Sequence, residues 1–264
     1  MTNVDKAFAN ASHKALVGYL PAGFPTVSTA IDAAIAMTEA GADVIEIGLP
    51  YSDPLMDGPV IAEAVHRALS GGTRIRDVLD TVEAVAGTGT PTLVMTYWNP
   101  VDHYGVANFS RDLAKAGGAG LITPDLSPEE AGPWLAASED YDLDRVFLVA
   151  PSTTDERIGY ITRHCRGFVY AASLMGITGT RAAVSSGAGG LVARIKDQAS
   201  LPAAVGLGVS TGDQAREVAA FADGVIVGSA FVRRLLDAAS PAEGIEAVRE
   251  LTAELSAGTR SWTR

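Results

Sequence analysis

Two kinds of segment alternate along the whole chain. Short apolar runs rich in β-branched residues predict strands, and the Ala-rich segments between them repeat apolar residues at the helical period. The pattern predicts eight strands, at residues 15–20, 43–48, 92–97, 120–123, 145–149, 168–171, 203–207 and 224–227. It predicts helices in the gaps, at residues 26–40, 59–69, 74–85, 109–116, 127–137, 155–163, 189–199, 211–220 and 242–255.

Small-residue turns precede several of the predicted strands. Gly41, Gly117 and Gly224 are each expected just after a helix, where a left-handed residue is needed. The runs VIEIG, GLIT and VIVG then follow, and strands that are apolar on both faces are typical of parallel sheets covered by helices. We therefore predict a (β/α)8 TIM barrel in the α/β class, one domain over residues 1–264, with a doubly wound open sheet as the alternative. A barrel places its active site at the carboxyl ends of the strands.

Composition narrows the class of partner. The formal net charge is −11, from 20 basic and 31 acidic residues, which argues against nucleic acid and against an anionic membrane surface. Neither a signal peptide nor an apolar run of spanning length is recognisable, so we expect no membrane insertion. Cys165 is the single cysteine, which excludes an intrachain disulfide and fits the cytoplasm.

The second predicted strand contains a glutamate among apolar residues. Burying Glu46 there costs several kcal/mol unless the carboxyl group is paired or protonated. Desolvation raises the pKa of a carboxyl group toward the range useful for general acid–base catalysis. The alternative is a structural glutamate paired with a neighbouring strand.

The loop after this strand holds two aspartates and three prolines before the next helix. Asp53 and Asp57 are each open to a structural interpretation, as turn or cap residues. Glu46 and Asp57 leave the end of one strand, so they could face one pocket. Two carboxyl groups in different environments can divide acid, base and charge-stabilising roles.

Three glycine-rich segments come late in the chain, at residues 176–180, 206–210 and 227–230. The second and third follow the predicted seventh and eighth strands, where barrels often bind phosphate through backbone N–H groups and a helix N-terminus. The alternative is that these glycines only end strands.

Other residue types exclude several kinds of chemistry. None of the four lysines ends a predicted strand, so a Schiff base is not expected. The four histidines are scattered, so no metal site is expected. Acid–base chemistry on a phosphate-bearing substrate remains, without metal or covalent cofactor. On the fold alone, a generic phosphate-binding barrel such as an isomerase remains open.

A set of motifs now resembles a known family. The segment IEIGLPYSDPLMDGP at residues 45–59 resembles the signature of the tryptophan synthase α chain family. Collinear motifs extend this similarity over nearly the full chain: YLPAGFP at 19–25, MTYWNP at 95–100, GLITPDL at 120–126, FLVAPSTT at 147–154 and GITG at 176–179.

The resemblance implies cleavage of indole-3-glycerol phosphate to indole and glyceraldehyde 3-phosphate. It implies a partner β chain that holds pyridoxal phosphate, in an α2β2 complex, and no cofactor in this chain. Glu46 then matches the general acid–base and Asp57 the group that contacts the indole N–H. Further matches are the substrate-binding Tyr19, Tyr170 and Thr178 and the phosphate-binding Gly179, Gly208, Gly228 and Ser229.

Two positions depart from the more familiar family pattern, because Tyr19 and Leu207 stand where Phe is common. The segment at residues 176–190 is a candidate lid, whose closure with residues 50–59 we expect to be coupled to the β chain.

Two alternatives remain open: a free-standing lyase that needs no partner, and a catalytically silent regulatory subunit. The presence of Glu46 and Asp57 argues against the second.

Overall fold

The computed structural model describes residues 3–9, 13–172, 181–206 and 208–261. Eight parallel strands pair in sequence order and close into a barrel, because β1 also pairs with β8. An open sheet would leave those two strands unpaired, so the doubly wound alternative is wrong and the (β/α)8 TIM barrel is confirmed. The strands are β1 Ala15–Pro21, β2 Val44–Gly48, β3 Thr92–Met95, β4 Gly120–Thr123, β5 Asp144–Val149, β6 Val169–Ala172, β7 Ala203–Gly206 and β8 Gly224–Val227.

Helices cover the outside of the barrel. They are α1 Asn3–Phe8, α2 Val27–Glu39, α3 Pro59–Ser70, α4 Ile75–Ala86, α5 Trp98–Tyr104, α6 Val106–Lys115, α7 Gly132–Asp140, α8 Asp155–His164, α9 Arg181–Gln198, α10 Gly212–Ala219, α11 Ser229–Asp237 and α12 Pro241–Arg260. The hydrophobic pattern did not predict α1, α5 or α11; α1 and α5, with six and seven residues, are too short for an apolar stripe to repeat. No helix among the described residues is long and apolar enough to cross a bilayer.

Local sequence sets several helix ends. Side-chain hydroxyl groups of Thr26, Thr154, Thr211 and Ser240 accept N–H bonds in the first turns of α2, α8, α10 and α12. Gly41 (φ +107°) and Gly117 (φ +77°) follow α2 and α6 in the left-handed region, as predicted. Gly224 does not: it lies within β8, where an added Cβ would meet the Phe8 ring at 2.6 Å.

The amino end of the barrel is filled with apolar side chains. Residues pointing inward from the strands form one buried cluster, which α1 completes from below: Val4, Val17, Val44, Leu93, Ile122, Val146, Phe168, Ala204 and Ile226. The ring of Phe8 packs on that of Phe168 with centroids 5.0 Å apart. A second and larger cluster joins the outer faces of the strands to the helices. The carboxyl ends of the strands are left to form a cavity.

Candidate active site

A cavity of about 270 Å³ opens at the carboxyl ends of the strands. Seven of the residues singled out in the sequence line it: Tyr19, Glu46, Asp57, Tyr170, Gly208, Gly228 and Ser229. Three others, Leu207 and the predicted substrate- and phosphate-binding Thr178 and Gly179, lie outside the described residues. The structure therefore brings together, in one cavity, every predicted site residue that it describes.

Glu46 is fully buried at the floor of this cavity. Strand β2 points it inward opposite Tyr19 of β1, its register partner. Neither carboxyl oxygen has a hydrogen-bond partner among the described residues, so the alternative of a structural ion pair is wrong for that part of the chain. Burial raises the pKa of Glu46 to about 8. The group is therefore largely protonated at neutral pH and able to donate a proton.

Asp57 enters the cavity from the loop between β2 and α3. Its Oδ1 atom accepts a hydrogen bond of 3.0 Å from the Tyr97 hydroxyl group. Gly58, not Asp57, caps α3, so the interpretation of Asp57 as a helix cap is wrong. Burial raises the pKa of Asp57 and the bond from Tyr97 opposes that rise. The two carboxyl groups thus differ in environment: among the described residues, Glu46 has no hydrogen-bond partner, whereas Asp57 is held by the Tyr97 hydroxyl group.

Tyr97 is a site residue that the sequence analysis did not assign. The hydrophobic pattern predicts a third strand that extends to residue 97, but β3 ends at Met95 and Tyr97 is the N-cap residue of α5. The side chain is buried and lines the cavity. Its position at a strand end, inside the MTYWNP motif, was the available signal.

Glycines make room for the buried Tyr19 and the partly buried Tyr170. A Cβ added at Gly206 would lie 2.6 Å from the Tyr170 hydroxyl oxygen, and one at Gly48 would overlap the Tyr19 hydroxyl. Burial, together with the nearby Glu46 carboxyl group, raises the pKa of both Tyr19 and Tyr170. Both phenols therefore stay neutral and present hydroxyl groups to the cavity.

The far side of the cavity is formed by backbone. Gly208 adopts φ +65°, a conformation that favours glycine. Gly228 caps α11, so the free N–H groups of this helix begin at Ser229 beside the cavity. No lysine or arginine lines the cavity among the described residues, so an anion here would be held by backbone N–H groups and the helix N-terminus.

The remaining walls are apolar. Aliphatic and thioether side chains line the cavity between the carboxyl groups and the α11 end, a surface that suits a flat aromatic ring. They include Leu49, Ile61, Val65, Met95, Leu148 and Ile226.

The sequence also led to expectations about a metal site and about a lid. Within the described residues, no group of three His, Cys, Asp or Glu side chains could hold a metal ion. Residues 176–180 of the candidate lid lie outside the described residues, and the rest of it belongs to α9, which begins at Arg181. The lid and its coupling to a partner therefore stay predictions.

Comparison with known proteins points to one family. The family model described as tryptophan synthase alpha chain matches residues 6–260. The tryptophan synthase alpha chain of Salinispora tropica is 58% identical over 264 residues, covering 99% of each chain, and that of Thermobifida fusca is 56% identical over 253 residues, covering 95% of this chain and 94% of the relative.

Solved structures are similar over the same length. A tryptophan synthase from M. tuberculosis in its aminoacrylate-bound form has a TM-score of 0.89 at 50% identity, covering 98% of this chain and 100% of that one. The alpha subunit from Legionella pneumophila str. Paris has a TM-score of 0.88 at 32% identity, covering 98% of each chain. The family match, the relatives and the barrel agree over nearly the whole length, and the chain belongs to the tryptophan synthase alpha chain family.

Proposed function

We propose that the cavity at the carboxyl end of the barrel is where this tryptophan synthase alpha chain cleaves indole-3-glycerol phosphate to indole and glyceraldehyde 3-phosphate. One observation carries the assignment of residues: the fully buried carboxyl group of Glu46 has no hydrogen-bond partner among the described residues and shares its cavity with Asp57. A buried carboxyl group whose pKa is raised by desolvation, lying in a cavity, is typical of a catalytic acid or base.

Glu46 is proposed to exchange two protons in turn. Its protonated form donates a proton to the ring carbon that bears the side chain. The resulting carboxylate takes the proton of the hydroxyl group on the adjacent side-chain carbon, the carbon–carbon bond breaks, and an aldehyde and indole result. The carboxyl group ends the cycle protonated, so no water or cofactor is consumed.

Asp57 is proposed to bind the indole N–H. Protonation of the ring carbon leaves positive charge on the ring nitrogen, and a carboxylate there stabilises this charge more in the transition state than in the ground state. Tyr19 and Tyr170 pack around the ring. The phosphate end of the substrate is proposed to bind to Gly208, Gly228 and Ser229, together with Gly179. Thr178 is proposed as a further substrate-binding residue, and both Thr178 and Gly179 lie outside the described residues.

The indole passes to a β chain, which holds pyridoxal phosphate and completes the last step of tryptophan biosynthesis; this chain itself needs no cofactor. We propose that the α2β2 complex forms in the cytoplasm and that the loop carrying Asp57 faces the β chain. Support comes from Leu55, which exposes 82% of its surface, and Met56, which exposes 50%, at the rim of the cavity. Exposed large apolar side chains next to each other are typical of an interaction surface.

Indole release from indole-3-glycerol phosphate tests this proposal, measured for the purified chain alone and with a purified β chain. We expect slow release by the chain alone and faster release with the β chain. Equal rates in both arms would mean a free-standing lyase. No release in either arm would overturn the proposed reaction.

A further inference from the structure

We propose that Tyr97 is a positioning residue: its hydroxyl group holds the Asp57 carboxylate in the orientation that the reaction needs. The inference rests on the function proposed above. Tyr97 stands at the junction of β3 and α5, only 6% exposed, and donates a hydrogen bond of 3.0 Å to Oδ1 of Asp57. A carboxylate can only accept, so the direction of this bond is fixed.

A second hydrogen bond fixes the phenol itself. The backbone N–H of Met56 donates to the Tyr97 hydroxyl oxygen over 2.9 Å. The same oxygen atom therefore joins two successive residues of the loop to the end of β3. The ring of Tyr51 also packs against that of Tyr97, with centroids 5.5 Å apart. Because Leu55 and Met56 are exposed, these contacts anchor a segment that is otherwise weakly packed at its tip.

Among the described residues that line the cavity, the Tyr97 hydroxyl group is the side-chain group that hydrogen-bonds to Asp57. Glu46 on β2, Tyr19 on β1 and Tyr170 on β6 line the same cavity, and no lysine or arginine of the described residues does. Burial raises the pKa of Asp57, and the hydrogen bond from Tyr97 is what lowers it. Loss of the hydroxyl group should therefore both free the carboxylate and raise its pKa further.

Tyr97→Phe tests the role in the assay of indole release, as pH profiles of kcat/KM. Because a hydrogen bond to a charged group is lost, kcat/KM at pH 7 should fall by roughly tenfold to a hundredfold. The acidic limb of the profile should move to higher pH. Tyr104→Phe is the matched control, since the Tyr104 hydroxyl donates to the Asp112 carboxylate over 2.8 Å outside the cavity. This control should keep the wild-type profile.

A double variant separates positioning from general damage to the cavity. If Tyr97 acts through Asp57, adding Tyr97→Phe to Asp57→Asn should slow the reaction no further. Additive losses, or an acidic limb that does not move in Tyr97→Phe, would overturn the positioning role. Indole release by wild type in the same assay keeps the proposed function intact in that case, whereas no release by wild type would overturn the function itself.

Discussion

Glu46 and Tyr19 are register partners on neighbouring parallel strands, and both point into the barrel. The barrel thereby sets a buried carboxyl group beside a buried phenol. Neither group ionises readily there: burial raises the pKa of Glu46 to about 8 and that of Tyr19 well above its usual range. A protonated acid at neutral pH is the chemical consequence of this burial.

The rate should depend on pH through Glu46. Proton donation to the ring carbon needs the protonated form, whose pKa in the free protein is about 8. Above the acidic limb that ionisation of Asp57 sets, we expect kcat/KM of the chain without its partner to be flat up to about pH 8 and to fall about tenfold per pH unit above it. A profile of indole release from pH 6 to 10 checks this, and a flat profile up to pH 9.5 would contradict it.

Stability should depend on pH through the same group. The folded state holds the Glu46 proton up to about pH 8, whereas an unfolded glutamate releases it near pH 4.5. Stability from this group is thus complete below pH 4.5 and is lost progressively as pH rises from 4.5 to about 8. Urea unfolding of wild type and Glu46→Gln at pH 5 and pH 7.5 checks this. Between these two pH values, the unfolding free energy of wild type should fall by about 3 kcal/mol relative to that of the variant.

Asp53→Asn offers a control for that comparison, because it removes a carboxyl group from an exposed position. Its unfolding free energy should keep a constant offset from wild type between the two pH values. If the unfolding free energy of Glu46→Gln also keeps a constant offset from that of wild type, the folded protein does not keep the Glu46 carboxyl group protonated between these pH values.

Gly206→Ala should displace Tyr170. A Cβ at Gly206 would lie 2.6 Å from the Tyr170 hydroxyl oxygen, closer than van der Waals contact allows. Because small misplacements of a positioning group cost up to about a hundredfold, we expect kcat/KM to fall at least tenfold. Gly132→Ala, where the added Cβ meets nothing within 4 Å, should match wild type. Equal activity of the two variants would show that the position of Tyr170 does not matter.

Ser229→Asp should weaken binding of the phosphate group. Ser229 begins α11 beside the cavity, and a carboxylate there repels a phosphate by about 1–4 kcal/mol. We expect KM for indole-3-glycerol phosphate to rise about tenfold or more, with a smaller change in kcat. Ser240→Asp adds the same charge at the start of α12, outside the cavity, and should leave KM unchanged. A similar KM in both variants would place the phosphate elsewhere.

The fold could be predicted because its elements are long enough to repeat a pattern. Alternating strands and helices gave eight strands within about two residues of the observed bounds, and the barrel follows from pairing them in order. The helices α1 and α5, of six and seven residues, are too short to be found this way, and the pattern also missed α11. Missing α5 had the largest effect on the predicted site. Because α5 starts at Trp98, Tyr97 is its N-cap residue and lines the cavity, rather than ending a strand.

The site was predicted in part from chemistry and in part from resemblance. Glu46 could be found because a lone acidic residue in an apolar strand is physically costly, and Asp57 because it leaves the same strand. Tyr19, Tyr170 and the glycines were assigned by motif alone. The bond between Tyr97 and Asp57 joins residues 40 positions apart, and no local pattern contains it.

The most direct test of the account replaces the Glu46 carboxyl group with an amide of the same shape. Glu46→Gln cannot exchange the proton but should still fold and bind, so kcat for indole release should fall about 100- to 10,000-fold. Binding of indole and glycerol 3-phosphate together, measured by calorimetry, should stay near wild type. If the folded variant released indole within tenfold of the wild-type rate, Glu46 would not be the acid–base group and the central claim would be wrong.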